Sequence, residues 1–186
     1  MDYTPIRCRT FEERENILRK DFTQHLGELA VNTLITNGFL TAPASTKYHG
    51  NYEGGLFDHS LNVTRALLLM TENNDLKWGD ERSPYVVGII HDLCKIDQYM
   101  PVLGAEKDEY TFNDDPVIKG HGVKSVIYAQ AIGIRLSDEE RACIIYHMGA
   151  FTPKEEWRDY THAVNVYPNV LWTHHADMIA SHIEEM

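Results

Sequence analysis

Paired cysteines are missing from this chain. Its three cysteines, Cys8, Cys94 and Cys143, are odd in number and widely spaced, and no CxxC pair is present. This usage argues against a disulfide framework, which needs an even set, and against a cysteine-type zinc site, which needs clustered thiols. It fits a reducing compartment, so we expect the protein to be cytoplasmic.

Positive charge and long apolar runs are also scarce. Lysine and arginine together number 17 against 28 aspartates and glutamates, which gives a formal net charge of −11. That balance disfavours tight binding to a nucleic-acid backbone and to an anionic membrane surface, because both depend on clustered cations. Met1 to Pro5 lack the basic and apolar regions of a secretory signal. No apolar run approaches the roughly 20 residues that span a bilayer, so we expect no membrane association.

Helical periodicity is what the sequence does contain. A stripe of apolar residues, interrupted by one histidine, repeats with helical spacing at Leu56, His59, Val63, Leu67 and Met70. Pro168 opens a last helix that the pattern extends to Glu185. We predict an all-α bundle of about six or seven helices. A chain of 186 residues favours one domain, residues 1–186, in which an N-terminal helical part (1–40) packs on a core (41–186).

Local signals mark where elements begin and end. Thr10–Glu13 and Ser137–Glu140 each form a capping box, and Ser83-Pro84 places an N-cap residue before a proline. Short β-prone stretches separated by a turn predict one small β-hairpin near 99–112. Phe151 to Tyr167 is predicted to be a long loop or irregular lid.

Histidine is the unusual residue in the composition. Ten are present, and several fall in predicted helices where they could join aspartates as metal ligands. These candidate ligands are His59, His91, Asp92, His121, His147 and Asp177. Imidazole nitrogen with carboxylate oxygen suits Fe, Mn, Ni, Co or Zn better than Mg or Ca. Helices packed around a shared interior can hold such ligands, so we predict a site for one or two divalent transition metals.

Asp92 and Lys95 are the predicted catalytic residues. Asp92 could bridge two ions if His121 and His147 complete a second site. Lys95 follows Asp92 by three residues, so on a helix the two side chains share one side. Its ammonium group could then neutralise charge in a phosphoryl transition state, although an ordinary solvated lysine is the alternative.

The ordered pattern resembles the HD-domain superfamily of metal-dependent phosphohydrolases, over about residues 43–186. Its local sequence resembles the branch that includes the HD domain of bacterial 3′-5′ exoribonucleases. The matching stretches are Gly54-Gly55-Leu56-Phe57-Asp58-His59, His91-Asp92, Gly120-His121, Tyr146-His147 and His174-His175-Ala176-Asp177. The resemblance implies an HD-domain-like helical bundle. It also implies that His59, His91, Asp92 and Asp177 bind the first metal, and that His121 and His147 complete a second site.

The activity that the resemblance implies is hydrolysis of a phosphoester, as a phosphodiesterase or phosphomonoesterase, through a metal-bound hydroxide. The expected partner is a small phosphorylated substrate, in particular a nucleotide. A di-iron oxygenase of HD fold and a non-catalytic nucleotide-binding module remain open alternatives. The 5′-nucleotidases of HD fold carry glutamate where Lys95 stands, and the Gly-Tyr-Pro signature of cyclic-di-GMP phosphodiesterases is absent after His147. The resemblance therefore predicts the fold more reliably than it predicts the substrate.

His49 and His174 are candidates for a pocket or supporting role. His49 lies in a glycine-rich loop before the first motif, and it either lines the pocket or belongs to a simple connection. His174 precedes Asp177 by three residues, so it could support that ligand or contact a phosphate. A packed or solvent-facing histidine is the alternative. An isolated histidine is by default a hydrogen-bonded or capping residue, and only the ordered pattern favours ligands over that reading.

Overall fold

The structure is a computed structural model that describes residues 4–105 and 109–184. Its fold is mostly α-helical with one small antiparallel hairpin, as predicted. The helices are α1 (Phe11–Ile17), α2 (Thr23–Leu26), α3 (Glu28–Thr36), α4 (Gly55–Asn73), α5 (Ser83–Ile90), α6 (Gly122–Ala131), α7 (Asp138–Tyr146), α8 (Trp157–Val166) and α9 (Asn169–Ile179). The strands are β1 (Tyr99–Pro101) and β2 (Tyr110–Phe112), with Tyr99 opposite Phe112. Within the described residues, none of the helices combines the length and hydropathy of a bilayer crossing.

Helix α4 lies at the centre of the packing. It contacts α5 and α9, while α7 contacts α6 and α9. The predicted stripe is confirmed, because its members are all buried: Leu56, His59, Val63, Leu67 and Met70. The burial of this stripe places His59 in the interior.

Both predicted capping boxes are present. The Thr10 hydroxyl accepts the backbone N–H of Glu13 at 3.1 Å, and the Glu13 carboxylate accepts the N–H of Thr10. Ser137 and Glu140 make the same reciprocal pair at the start of α7. Each box satisfies N–H groups that the first helical turn leaves without a partner, which fixes where α1 and α7 begin.

Two glycines allow neighbouring helices to approach closely. A Cβ atom added to Gly88 in α5 would overlap Thr64 in α4. A Cβ added to Gly122 in α6 would lie 2.5 Å from the carbonyl oxygens of Ile144 and Ile145 in α7. Backbone therefore packs on backbone in both helix pairs.

A buried ion pair joins the N-terminal segment to α4. Arg14 Nε lies 3.4 Å from Asp58 Oδ1, and both side chains are almost wholly buried. The Asp58 carboxylate also accepts the backbone N–H of Cys8 at 3.1 Å and the hydroxyl of Tyr52 at 3.0 Å. The Arg14 guanidinium occupies the space that a side chain at Gly54 would need, and Gly54 has a φ of +84°. These contacts hold the turn from which α4 begins.

The prediction of a loop or lid from Phe151 to Tyr167 is wrong. The segment contains α8, preceded by a short 3₁₀ turn at Lys154–Glu156. Tyr160, Ala163, Val164 and Tyr167 pack against the core. Their i, i+3, i+4, i+7 spacing is that of an amphipathic helix.

Two predictions around α5 are also wrong. Ser83 is the first residue of α5 rather than its N-cap, and its hydroxyl donates to Glu140 Oε1 at 3.1 Å. Lys95 does not share a helix with Asp92, because α5 ends at Ile90 and Leu93–Asp97 forms a 3₁₀ turn. Asp92 leaves the helical conformation with φ −105° and ψ 19°. The turn of the predicted hairpin at 106–108 and the predicted helix end at Glu185 lie outside the described residues.

Candidate metal centre

The structure brings the six predicted ligands together from five helices. Their positions are His59 near the start of α4, His91 and Asp92 directly after α5, His121 directly before α6, His147 directly after α7 and Asp177 within α9. The side chains of His59, His91 and His147 are completely buried. Helix ends converge on this cluster, so the core holds its side chains from several directions.

The first half of the cluster consists of His59, His91, Asp177 and the Oδ2 atom of Asp92. His59 Nε2 lies 3.3 Å from His91 Nε2, 3.2 Å from Asp177 Oδ1 and 3.5 Å from Asp92 Oδ2. His91 Nε2 is also 3.5 Å from Asp92 Oδ2. The Ser181 hydroxyl donates to Asp177 Oδ1 at 3.2 Å and helps to orient that carboxylate. His91 Nε2 is 4.0 Å from Asp177 Oδ1, so two nitrogen atoms and two oxygen atoms lie close together.

The second half of the cluster consists of His121, His147 and the other oxygen of Asp92. Asp92 Oδ1 lies 2.9 Å from His121 Nε2 and 3.4 Å from His147 Nε2. The two histidine nitrogens are 3.2 Å apart. The two oxygens of Asp92 therefore face different groups of imidazoles.

Two histidine rings direct lone pairs at the Asp92 carboxylate. His91 Nδ1 lies 2.8 Å from the carbonyl oxygen of Gly88, and His147 Nδ1 lies 2.7 Å from that of Ile144. A carbonyl only accepts, so each Nδ1 carries a proton, and in the neutral form of either ring Nε2 presents a lone pair. Lone pairs facing a carboxylate repel it unless a cation or proton lies between them. Among the described residues, buried Asp92 Oδ1 has no partner with hydrogen-bond geometry.

The spacing of these atoms also suits metal ions. A metal–nitrogen bond of about 2.1 Å with tetrahedral or octahedral angles puts neighbouring ligand atoms about 3.0 to 3.5 Å apart. Most of the distances within each half of the cluster fall in or next to this range. The donor set, its spacing and the unsatisfied Asp92 oxygen therefore fit a divalent cation in each half.

Charge interactions keep the two carboxyl groups ionised. Burial opposes ionisation of Asp92, but the positive charge of Lys95 outweighs burial and holds the pKa of Asp92 well below its usual range. Burial likewise opposes ionisation of Asp177, but the interactions of this carboxylate with His59 lower the pKa of Asp177. Complete burial lowers the pKa of His91 to about 3, which keeps that ring neutral. A neutral imidazole beside ionised carboxylates is the protonation state that metal binding requires.

Lys95 contacts the cluster directly. Its Nζ lies 2.7 Å from Asp92 Oδ2, and its side chain is only 10% exposed. Burial disfavours the charged ammonium, but the carboxylate of Asp92 outweighs burial and raises the pKa of Lys95. The predicted proximity of Lys95 and Asp92 is therefore present, although a 3₁₀ turn rather than a helix supplies it.

A cleft of about 330 Å³ opens onto the cluster and contains Lys95 in its lining. Tyr99 and Phe112 contribute one part of its wall, with their ring centroids 5.2 Å apart. Phe151 and Met178 contribute further apolar surface. The cleft thus has a polar, charged end and apolar walls, a combination typical of small-molecule sites.

His49 and His174 occupy different positions around the cluster. His49 lines the cleft, and its ring centroid lies 4.8 Å from that of His59. His174 Nδ1 instead lies 2.8 Å from the carbonyl oxygen of His147, and the His174 ring covers Gly149. His174 therefore holds the backbone beside His147 rather than Asp177.

Several residues around the site were not predicted from the sequence. Cys94 lies 3.2 Å from His121 Nδ1. Ser181 contacts Asp177, and Tyr99 and Phe112 line the cleft. Helical spacing could have identified Ser181, which follows Asp177 by four residues. The other contacts depend on how separate elements pack, and the local sequence carries no signal for them.

Comparison with known proteins gives one partial similarity. The chain is similar to a dihydroneopterin 2′,3′-cyclic phosphate phosphodiesterase of Methanocaldococcus jannaschii, with 33% identity over 75 residues. The similar region is 39% of this chain and 28% of that protein. The chain thus matches less than a third of the length of this relative. No family model and no solved structure matches the chain.

Proposed function

We propose that this protein is a metal-dependent phosphohydrolase that acts on a nucleotide or another small phosphoester. The observation that carries this proposal is the Asp92 carboxylate, whose two oxygens face two separate groups of imidazole nitrogens. The cluster lies at the bottom of a cleft that a small substrate could enter. Paired N/O sites joined by one carboxylate suit two-metal hydrolysis of phosphoesters.

The first half of the cluster would hold one ion through His59, His91, Asp92 and Asp177. The second half would hold another through Asp92, His121 and His147. Ions bound there would lower the pKa of a water molecule and polarise a phosphoryl oxygen. Fe, Mn, Ni, Co and Zn all suit these donors.

Lys95 would stabilise charge that develops on the phosphoryl group. Its ammonium pairs with Asp92 and its side chain lines the cleft, so a phosphate oxygen entering the cleft would meet a fixed cation. A preorganised charge in a water-poor site acts more strongly than one in bulk water. Loss of such a group typically lowers kcat by about 10² to 10³.

The cleft walls support a substrate with an aromatic ring. Phe112 and Phe151 are 56% and 66% exposed although both line the cleft, so a ligand in the cleft could contact their rings. Any nucleobase can stack on such rings, and this stacking typically contributes about 1–3 kcal/mol per base to the free energy of binding. The name of the archaeal relative describes a 2′,3′-cyclic phosphate of dihydroneopterin. A 2′,3′-cyclic nucleotide is therefore a suitable first test substrate.

The test combines metal analysis with a panel of phosphoesters. Purified protein is analysed for bound metals and assayed with Mn²⁺, Fe²⁺, Co²⁺, Ni²⁺ or Zn²⁺ on 2′,3′-cyclic AMP, 5′-AMP and glycerol 1,2-cyclic phosphate. We expect hydrolysis with at least one metal, and faster hydrolysis of the cyclic nucleotide than of the glycerol compound. Lys95→Met should retain its metal and lose about a hundredfold in kcat. Lys20→Met, which alters an exposed lysine away from the cleft, is the matched control.

Four results would contradict the proposal. Wild-type protein that binds no transition metal would exclude it, as would Asp92→Asn hydrolysing substrate as fast as wild type. Oxygen consumption by the iron-loaded protein without phosphoester hydrolysis would favour an HD-fold oxygenase. Tight nucleotide binding without product would favour a non-catalytic module.

A further inference from the structure

His121 differs from its neighbours in what its second ring nitrogen contacts. The Nδ1 atoms of His91 and His147 each lie against a backbone carbonyl in the preceding helical turn. His121 Nδ1 lies instead 3.2 Å from the sulfur of Cys94. The His121 side chain is also 29% exposed, whereas those of His91 and His147 are fully buried. Packing alone therefore constrains the His121 ring less than the other two.

Cys94 is held firmly in place. Its side chain is completely buried, and its backbone N–H donates to the Ser125 hydroxyl at 3.0 Å. The Cys94 thiol has an acceptor of its own, because Sγ lies 3.8 Å from Gln98 Oε1. With the S–H directed at Gln98, the sulfur lone pairs remain available to the His121 ring.

We propose that Cys94 is a positioning residue for the second half of the metal cluster. Its sulfur accepts the Nδ1–H of His121, which leaves the lone pair of Nε2 directed towards Asp92 Oδ1 and His147 Nε2. This inference rests on the proposed metal site. Metal-bound histidines generally donate their other N–H to a fixed acceptor, and loss of that acceptor typically weakens metal binding about 10- to 100-fold.

The geometry separates this role from direct ligation by sulfur. Cys94 Sγ lies on the Nδ1 side of the imidazole, while the ring presents Nε2 to Asp92 at 2.9 Å. A thiol is a weaker acceptor than a carbonyl oxygen. The second ion should therefore bind more weakly than the first and depend more strongly on this single contact.

The test measures metal binding rather than turnover. Metal-free wild type, Cys94→Ala, Cys94→Ser and Cys143→Ala are titrated with Co²⁺ by calorimetry, and the visible absorption of bound Co²⁺ is recorded. We expect wild type to bind two equivalents of Co²⁺. In Cys94→Ala the affinity for the more weakly bound ion should fall about 10- to 100-fold, while the affinity for the tightly bound ion stays unchanged. Cys94→Ser keeps an acceptor and should bind nearly as wild type does. Cys143→Ala removes another fully buried thiol and is the matched control.

Nitrogen NMR of labelled histidine gives a second readout. The His121 ring should be in the Nδ1–H form in metal-loaded wild type and Cys94→Ser, and should shift towards a mixture of forms in Cys94→Ala. This measurement separates ring orientation from a general loss of stability.

The possible outcomes are distinct. Unchanged binding of both equivalents by Cys94→Ala would overturn the inference, as would an equal loss in Cys143→Ala. A single equivalent in wild type would overturn it while leaving a one-metal phosphohydrolase intact. No bound metal in wild type would remove the proposed function as well.

Discussion

At the scale of single residues, two neighbours in the sequence, Asp58 and His59, have different structural roles. His59 points into the cluster of candidate ligands, while Asp58 points away and pairs with Arg14. Successive residues on a helix are about 100° apart, so one turn of α4 can serve both. The ion pair between Arg14 and Asp58 fixes the turn from which α4 begins, and that turn sets the position of His59.

Removing Arg14 should therefore be costly. Arg14→Met leaves the buried Asp58 carboxylate without its cation, and we expect a loss of about 3–5 kcal/mol in the free energy of unfolding at pH 7. Burial already raises the pKa of Asp58 in the wild type, and the loss of Arg14 should raise it further. A group with a raised folded-state pKa stabilises the protein at low pH and loses that contribution as pH rises through its folded pKa. The deficit of the variant should consequently shrink at pH 5.

Urea unfolding of wild type and variant at pH 7 and pH 5 measures this effect. Arg14→Met combined with Asp58→Asn should recover part of the loss, because the uncompensated charge is then absent. An equal deficit at both pH values would show that lost packing, rather than a buried charge, explains the destabilisation.

At the scale of elements, the site depends on how closely two helix pairs pack. Gly88 lies between α4 and α5, and Gly122 lies between α6 and α7. Each glycine is close to a candidate ligand: the Gly88 carbonyl contacts His91, and Gly122 follows His121. The helix spacing thus sets the distance between ligand atoms across each pair.

Gly122→Ala should separate α6 from α7. A methyl group 2.5 Å from two carbonyl oxygens cannot be accommodated without backbone movement, so we expect a loss of about 1–3 kcal/mol in stability. His121 should move away from His147, and the affinity for the more weakly bound Co²⁺ ion should fall by about tenfold or more. Chemical unfolding and calorimetry measure the two effects.

Gly79→Ala provides the comparison for this substitution. The nearest atom to its added methyl group is Oε2 of Glu139, at 3.2 Å, which belongs to a side chain rather than to the backbone. We expect nearly normal stability and metal binding. Wild-type Co²⁺ affinity in Gly122→Ala would show that the close approach of α6 and α7 does not set the ligand spacing.

The elements that the sequence predicts well are those with local causes. The capping boxes, the α4 stripe and the hairpin depend on residues a few positions apart, and all are present. Helix α8 was missed because the turn-forming residues Thr152-Pro153, a few positions before it, outweighed the helical spacing that follows. The break after Ile90 was missed because it depends on tertiary contacts of His91 and Asp92.

At the scale of the whole molecule, the cluster joins separate parts of the fold. Helices α4 and α9 both contribute to its first half, and the ends of α6 and α7 supply its second. We propose that residues 1–186 form one domain in which residues 1–40 pack on the rest. The contacts of Arg14 and Cys8 with Asp58 support this arrangement.

Metal removal should lower the thermal stability of the whole protein. A ligand at a hundred times its Kd that binds only the folded state adds about 2.7 kcal/mol. For a chain of this size, each kcal/mol moves Tm by about 2–4 °C, so a chelator should lower Tm by about 5–10 °C. Differential scanning calorimetry with and without EDTA tests this expectation. Asp92→Asn should respond little to either metal or chelator, and an unchanged wild-type Tm would argue against a bound metal.

The candidate ligands could be named from the sequence because their order along the chain forms a recognisable pattern, and their role as ligands stays a prediction. Their convergence in space is a property of the fold, and the structure supplies it. The role of Cys94 could not be predicted, because its contact with His121 joins a 3₁₀ turn to the start of another helix. The cleft walls likewise depend on where the hairpin lies relative to Phe151.

The distribution of the cluster over five helices has a consequence for folding kinetics. Its ligand atoms come together only after contacts between distant parts of the chain have formed, and such contacts are slow to form. An ion that recognises only the completed cluster has little to bind in the folding transition state. It would leave the refolding rate almost unchanged and slow unfolding instead. The main effect of the metal on this protein would then be a longer lifetime of the native state.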